Sequence, residues 1–349
     1  MSKLIRHNPA IDAIRGLAIV SVMLLHLYIH IPFINHLPYA LFNIIFKSGY
    51  YGVIIFFVIS GFLITHSIVN KWGNLQAVNL FSFYRMRFAR IIPCLVALVA
   101  LLSILHVMEF KGFHIHTVSL GQALFAALTF HINVLEAKTW YLPGPWDVLW
   151  SLSVEEVFYI VFPLLCLLIK NERLFMVILC LFIVAGPFAR TLGSNAMWQD
   201  HSYLSCMDGI VFGILAALLS RRISAKNNKI FLWSGLALFV LIFCCRHFVY
   251  TLGISSLGLN VSLLEVSIAL LLIGLHQNTY QFKKLTVLGW YGRNSYEIYL
   301  SHMLIITLFM SIDLPVWALY TIGLIGSGWL GAWVARYYSQ PLNRKIRSN

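Results

Sequence analysis

Residues 11–30 read IDAIRGLAIVSVMLLHLYIH. At 1.5 Å of rise per residue, twenty mostly apolar residues match the roughly 30 Å of hydrocarbon that a membrane helix must cross. Arg15 and His26 stand inside this run, eleven residues apart. Eleven steps of 100° bring them within about 20° of one helix face, roughly 16 Å apart along the axis. Ionisable groups in a bilayer are costly and commonly mark function. A plainer reading is also open, with Arg15 reaching the interface along its stem and His26 serving as a hydrogen-bonded packing residue.

The rest of the chain has the same character. Of 349 residues, 60% are hydrophobic and 11% charged, and the mean hydropathy is +0.82. Soluble domains carry about 25% charged residues. The expected fold is all-α: a polytopic membrane protein forming a single transmembrane domain over residues 1–349, with no polar stretch long enough for a second domain. The first segment lacks a small-residue cleavage site after a short apolar core, so it is expected to remain as a membrane helix. The net charge of +13 does not point to nucleic acid. Its basic residues gather in short loops between apolar runs, and no aromatic-studded basic module is present. Cys94, Cys166, Cys180, Cys206, Cys244 and Cys245 form no CxxC pair and read as buried free thiols. His26/His30 and His114/His116 have no third ligand nearby, and no metal site is expected.

Apolar runs of spanning length fall near 11–31, 49–69, 91–109, 148–169, 174–190, 203–220, 230–250, 257–276, 290–310 and 316–336. A further run, 118–135, is decided by charge. Lys3 and Arg6 place the N-terminus inside, and Lys71, Arg85, Arg87 and Arg90 place the loop after the second run inside. Lys170/Arg173, the Arg221–Lys229 loop, Lys283/Lys284 and the basic tail stay inside only if 110–147 begins and ends outside. The expectation is therefore ten transmembrane helices, both termini cytoplasmic, with a re-entrant or interfacial segment near 118–135.

Topology sorts the polar residues by depth. His26 falls in the outer half of its span, and Glu155 and Glu156 fall near the outer start of theirs. A histidine and a carboxylate at similar depth can form a general-base pair, the carboxylate orienting the imidazole. Equally, one glutamate could face water and the other cap the helix start. On the inner side, FSFYRMRFARIIP (81–93) puts Arg87 and Arg90 on one helix face. Paired guanidinium forks suit phosphate oxygens, though such a pair also serves as an ordinary positive-inside anchor. Ser60 and Gly61 permit close helix packing or the passage of a thin ligand. His302 is either a second polar group of the site or a satisfied packing residue. Asp208, Arg246, Glu265 and Glu297 are polar positions in or near spans without assigned chemistry.

Taken together, these segments resemble the membrane-bound acyltransferase 3 family from IDAIRGLAIV to YYSQPLNRK. The resemblance is carried by Arg15 and His26, FFVISGFLI (56–64), Arg87/Arg90 before Ile-Ile-Pro, WSLSVEEVFY (150–159), MDGIVFGILAA (207–217) and GRNSYEIYLSH (292–302). It implies an enzyme that takes an acyl group, most often acetyl, from cytoplasmic acyl-CoA and passes it to a hydroxyl of a glycan or lipid-linked sugar. It implies His26 as the catalytic histidine, Arg15 as its motif partner, Glu155 as the acidic position, and Arg87 and Arg90 as the donor-side arginines. Ser60, Trp150, Tyr159, Tyr299 and His302 are accessory candidates. Val157 replaces a frequent glutamine, and Gln340 stands where a glutamate often precedes the proline.

Expected partners are acyl-CoA, with acetyl-CoA the expected donor, a glycan or lipid-linked sugar acceptor, and membrane lipids. No permanently bound cofactor and no nucleic acid are expected. The expected location is a bacterial inner membrane. The extracytoplasmic esterase-like domain that some relatives of the family carry is not expected within these 349 residues, and acceptor transfer is expected to fall to this chain or to a separate partner. A multi-pass transporter or exporter is the alternative, but the repeated, interrupted halves of such proteins are not seen in the sequence.

Overall fold

The computed structural model describes residues 8–32, 37–224, 228–276 and 286–348, apart from the side chains of Arg246, His247 and Tyr250. The regular elements among these residues are helices, without strands. The chain is an all-α, polytopic membrane protein.

Eight helical stretches are long and apolar enough to cross a membrane. They are α1 (Pro9–His30), α3 (Gly49–Trp72), α4 (Leu80–Val107), the pair α7–α8 (Gly144–Asp147 and Leu149–Leu168), α9 (Glu172–Leu192), the pair α10–α11 (Ala196–His201 and Tyr203–Ser220), α14 (Leu259–His276) and the continuous run Val316–Ser348. Two shorter apolar helices, α12 (Asn228–Cys244) and α16 (Ser295–Phe309), fall at two further expected spans. A count of ten depends on both. Lys3, Arg6, Lys226, Lys283 and Lys284, which support the charge argument, lie outside the described residues.

The 118–135 run forms two helices, α5 (Leu120–Leu128) and α6 (Ile132–Thr139), separated at Phe130, which has φ 59°. Nine residues of helix rise about 14 Å, less than half of a hydrocarbon core. Ser119 and Gln122 cap α5 reciprocally, which fixes its start. After α6, the backbone turns at Trp140, φ 69° and ψ −179°, a region that suits glycine. The turn is held by two bonds to Glu136. Its carbonyl accepts the Trp140 N–H at 2.8 Å, and its carboxylate accepts the Leu142 N–H at 3.1 Å. Burial pushes the Glu136 carboxyl up, and nearby Asp147 adds to the effect.

The chain divides into two compact units, each assembled from three segments. The first takes α1 as far as Val22, then α3, then Phe162–Arg293. At its centre α3 and α11 pack with backbones in contact. A Cβ on Gly61 would run into the Ile210 carbonyl, and one on Gly213 into the Val58 carbonyl. Small residues used reciprocally in this way are how membrane helices approach closely. A buried ion pair joins α9 to α11, Arg190 Nη2 to Asp208 Oδ2 at 2.7 Å. The second unit takes α1 from Met23, then Asn79–Val161, then the chain from Asn294. Leu27, Ile31, Val148, Met303, Ile306 and Leu319 form an apolar cluster there.

All six thiols are free. Cys94, Cys166 and Cys206 are buried as expected, but Cys180 and Cys245 are exposed, because apolar faces of outer helices also face lipid.

Candidate active site

The candidate residues sort between the units. Arg15 and Ser60, both half-buried, fall in the first. His26, Arg87, Arg90, Trp150, Glu155, Tyr159, Tyr299 and His302 fall in the second. Within that unit α4, α8, α16 and the last turns of α1 assemble most of them into a line of polar groups.

One end of the line is basic. Arg87 lies on α4 one turn after Phe83, and its guanidinium stacks over the Phe83 ring at 5.7 Å and the Tyr159 ring at 5.2 Å. Its Nε is buried and has no hydrogen-bond partner among the described residues. A buried guanidinium N–H without an acceptor is costly unless an anionic oxygen completes it. Arg90, one turn further, is exposed. Glu155 and Glu156 of α8 lie within electrostatic reach of Arg87. The Tyr159 hydroxyl, near the arginine, donates to Glu155 Oε2 at 3.0 Å. Tyr84 also ties α4 to α8, donating to the Ile160 carbonyl at 2.8 Å.

Two turns back along α8, Ser151 meets Tyr299 of α16, hydroxyl to hydroxyl at 2.7 Å. The Tyr299 hydroxyl also lies 3.1 Å from the Val148 carbonyl. Trp150, beside Ser151, is buried. The step from Ser151 to Tyr159 covers about 12 Å of helix.

The other end is a histidine pair. His26 Nδ1 lies 2.8 Å from His302 Nε2, and the rings are nearly parallel, 19° apart, with centroids 5.0 Å apart, so they meet edge to edge. His302 is wholly buried, whereas His26 is half-buried. His302 Nδ1 lies 2.7 Å from the Tyr299 carbonyl, one turn earlier in α16. The hydrogen-bonding side chain beside His26 is therefore His302, and Glu155 bonds Tyr159. Depth along the membrane normal points to Glu155 for this place, but depth does not specify which helix faces meet. The 3-residue spacing of Tyr299 and His302 is the signal in sequence for their shared face.

Sequence reading also missed Arg190, the partner of Asp208. An arginine inside the apolar run of α9 signals a buried counter-charge. Among the described residues, no group of three or more His, Cys, Asp or Glu side chains is arranged to hold a metal ion.

Comparison with known proteins now gives the class. The acyltransferase domain family matches residues 8–337, and the chain belongs to that family. It is similar to the peptidoglycan O-acetyltransferase OatA of Listeria monocytogenes, 28% identical over 87% of this chain and 50% of that protein. It is also similar to the putative peptidoglycan O-acetyltransferase YrhL of Bacillus subtilis, 25% identical over 87% of this chain and 49% of the relative. The O-acetyltransferase OatA of Staphylococcus aureus is 23% identical over 97% of this chain and 58% of its own length. The chain thus spans about half the length of the curated relatives it matches. No solved structure gives a significant match.

Proposed function

We propose that this chain is an integral membrane O-acyltransferase that moves an acetyl group from cytoplasmic acyl-CoA to a hydroxyl of a surface polysaccharide or lipid-linked sugar. The relatives' names support O-acetyl transfer and a glycan acceptor. The single observation that carries the chemistry is the 2.8 Å pairing of half-buried His26, on the helix that also bears Arg15, with buried His302.

In this reading the CoA phosphates dock on Arg87 and Arg90, and the thioester arm follows the polar line toward His26. Arg15, about 16 Å from His26 along α1, steers the donor from the same side. His26 takes the proton of the acceptor hydroxyl as its oxygen attacks the thioester carbonyl. The C–O bond forms, the C–S bond breaks, and the CoA thiolate leaves and regains the proton from the imidazolium. The donor face is cytoplasmic, both termini lie in the cytoplasm of a bacterial cell, and ten helices span its inner membrane.

The test is His26→Gln. An amide keeps the shape and one hydrogen-bonding group but takes up no proton near neutral pH. The variant should reach the membrane folded and lose acetylated acceptor, per unit of folded protein, by at least about 100-fold. Near wild-type turnover would refute the mechanism and favour a transport role.

A further inference from the structure

We infer that His302 is the positioning residue of this reaction: it holds His26 with its hydrogen on Nδ1, so that Nε2 is the nitrogen that accepts the proton. The inference rests on the reading of His26 as the base.

The assignment follows from acceptors alone. Two imidazole nitrogens 2.8 Å apart share one hydrogen between them, since two would clash and none would leave lone pairs opposed. Which ring supplies it is settled at the far side of His302. There Nδ1 faces the Tyr299 carbonyl oxygen at 2.7 Å, and a carbonyl only accepts. His302 Nδ1 therefore carries the hydrogen. A neutral imidazole has one N–H, so His302 Nε2 is bare and accepts. His26 Nδ1 must then donate, and His26 Nε2 keeps its lone pair. A cationic His302 would call for a carboxylate beside it. Its polar neighbours are instead the Tyr299 and Ile298 carbonyls, the Tyr299 ring, His26 and, further off, His30, none of them a carboxylate.

The relay is anchored. Tyr299, whose carbonyl sets the direction, is fixed through its hydroxyl to Ser151 and Val148. When Nε2 accepts a proton, the Nδ1–H of His26 still points at His302 Nε2 and its bond becomes charge-assisted. A neutral histidine tied to the main chain thus does what an orienting carboxylate does elsewhere, fixing tautomer and ring angle. Substrate must approach His26 on the Nε2 edge, because His302 covers the other.

Two measurements test this. In the full chain labelled with 15N-histidine, magnetic resonance near neutral pH reads which nitrogen of His26 bears hydrogen, the signal being assigned by its loss in His26→Gln. A bare Nε2 is expected; a protonated Nε2 on neutral His26 overturns the inference. The second measurement is turnover per folded protein. His302→Leu removes the acceptor and should lower kcat at least about 100-fold, with KM for acetyl-CoA within about threefold. His302→Gln puts an amide oxygen where Nε2 was and should recover about tenfold or more of that loss. A Gln variant no better than Leu, although folded, overturns the inference. If His26→Gln remains active, the base reading itself falls. If it is inactive while His26 carries its hydrogen on Nε2, the tautomer assignment alone fails.

Discussion

Replacing Arg190 by Met probes how the first unit tolerates charge in its interior. Arg190 and Asp208 are both buried, with side chains 4% and 0% exposed. All five guanidinium N–H groups are used: Nε on the Gly258 carbonyl, Nη1 on the Ser205 carbonyl and Asp208 Oδ1, and Nη2 on Asp208 Oδ2 and Ser262 Oγ. Nearby Glu265 is wholly buried, and neither carboxyl oxygen has a hydrogen-bond partner among the described residues. Removing Arg190 therefore strands two carboxyl groups and two carbonyls. Breaking a buried pair from one side costs about 3–5 kcal/mol, or roughly 5 °C of melting temperature for a chain of this length. Asp208→Asn should cost less, because Glu265 remains to balance Arg190. The double variant Arg190→Met/Asp208→Leu should recover part of the loss, since it replaces the broken pair by apolar groups but leaves Glu265 and the Gly258 and Ser205 carbonyls without Arg190. Thermal unfolding in detergent, with acetyl transfer per folded molecule measured alongside, checks the order. If Arg190→Met melts within about 1 °C of wild type, or if Asp208→Asn is the more damaging change, the charge accounting is wrong.

At the donor end, Arg87→Ala with Arg90→Ala should weaken CoA binding by about 100-fold, as two charge-assisted contacts are together worth roughly 3 kcal/mol. Titration calorimetry should assign more of the loss to Arg87, the half-buried member; unchanged affinity would leave both residues as topology anchors. If residues 110–147 lie outside as proposed, Tyr141→Cys and His116→Cys, at exposed positions, should each react with a membrane-impermeant thiol reagent from outside in a chain cleared of its own cysteines. Reaction only from the cytoplasmic side would invert every later span.

Apolar runs, the Arg15–His26 spacing and charge parity carry the fold in sequence because each is local or additive. Parity argued that 118–135 does not cross, and the break at Phe130 leaves two helices too short to do so. The pairings within the site were not legible for a different reason. His26 and His302 are separated by 276 residues, and Arg190 and Asp208 by 18 on different helices. Spacing gives depth and helix face, but the rotation of one helix against another is decided by packing. Gly61 against Ile210 illustrates this, since nothing in FFVISGFLI names the helix it meets.

The distribution of charge along the polar line bears on why a histidine, rather than a carboxylate, stands behind His26. Moving an ion from water into a protein interior costs several kcal/mol even after relaxation. A carboxylate beside His26 would carry that cost throughout the resting cycle, although it would strengthen the imidazolium when it forms. His302, tied to a main-chain carbonyl, orients the base without a resting charge. Glu155 and Glu156 lie instead within electrostatic reach of Arg87, whose positive charge acts against the cost of burying them. On the proposed reading this division matches the two substrates. The phosphates of the donor need fixed positive charge, and the acceptor hydroxyl needs a neutral nitrogen with one free lone pair. A variant that brings a carboxylate to the base, His302→Asp, should therefore gain orientation but lose folded yield. Its turnover per folded molecule should exceed that of His302→Leu, and its melting temperature should lie below it. The reverse order on both measures would show that the membrane interior penalises charge at this position less than the argument requires.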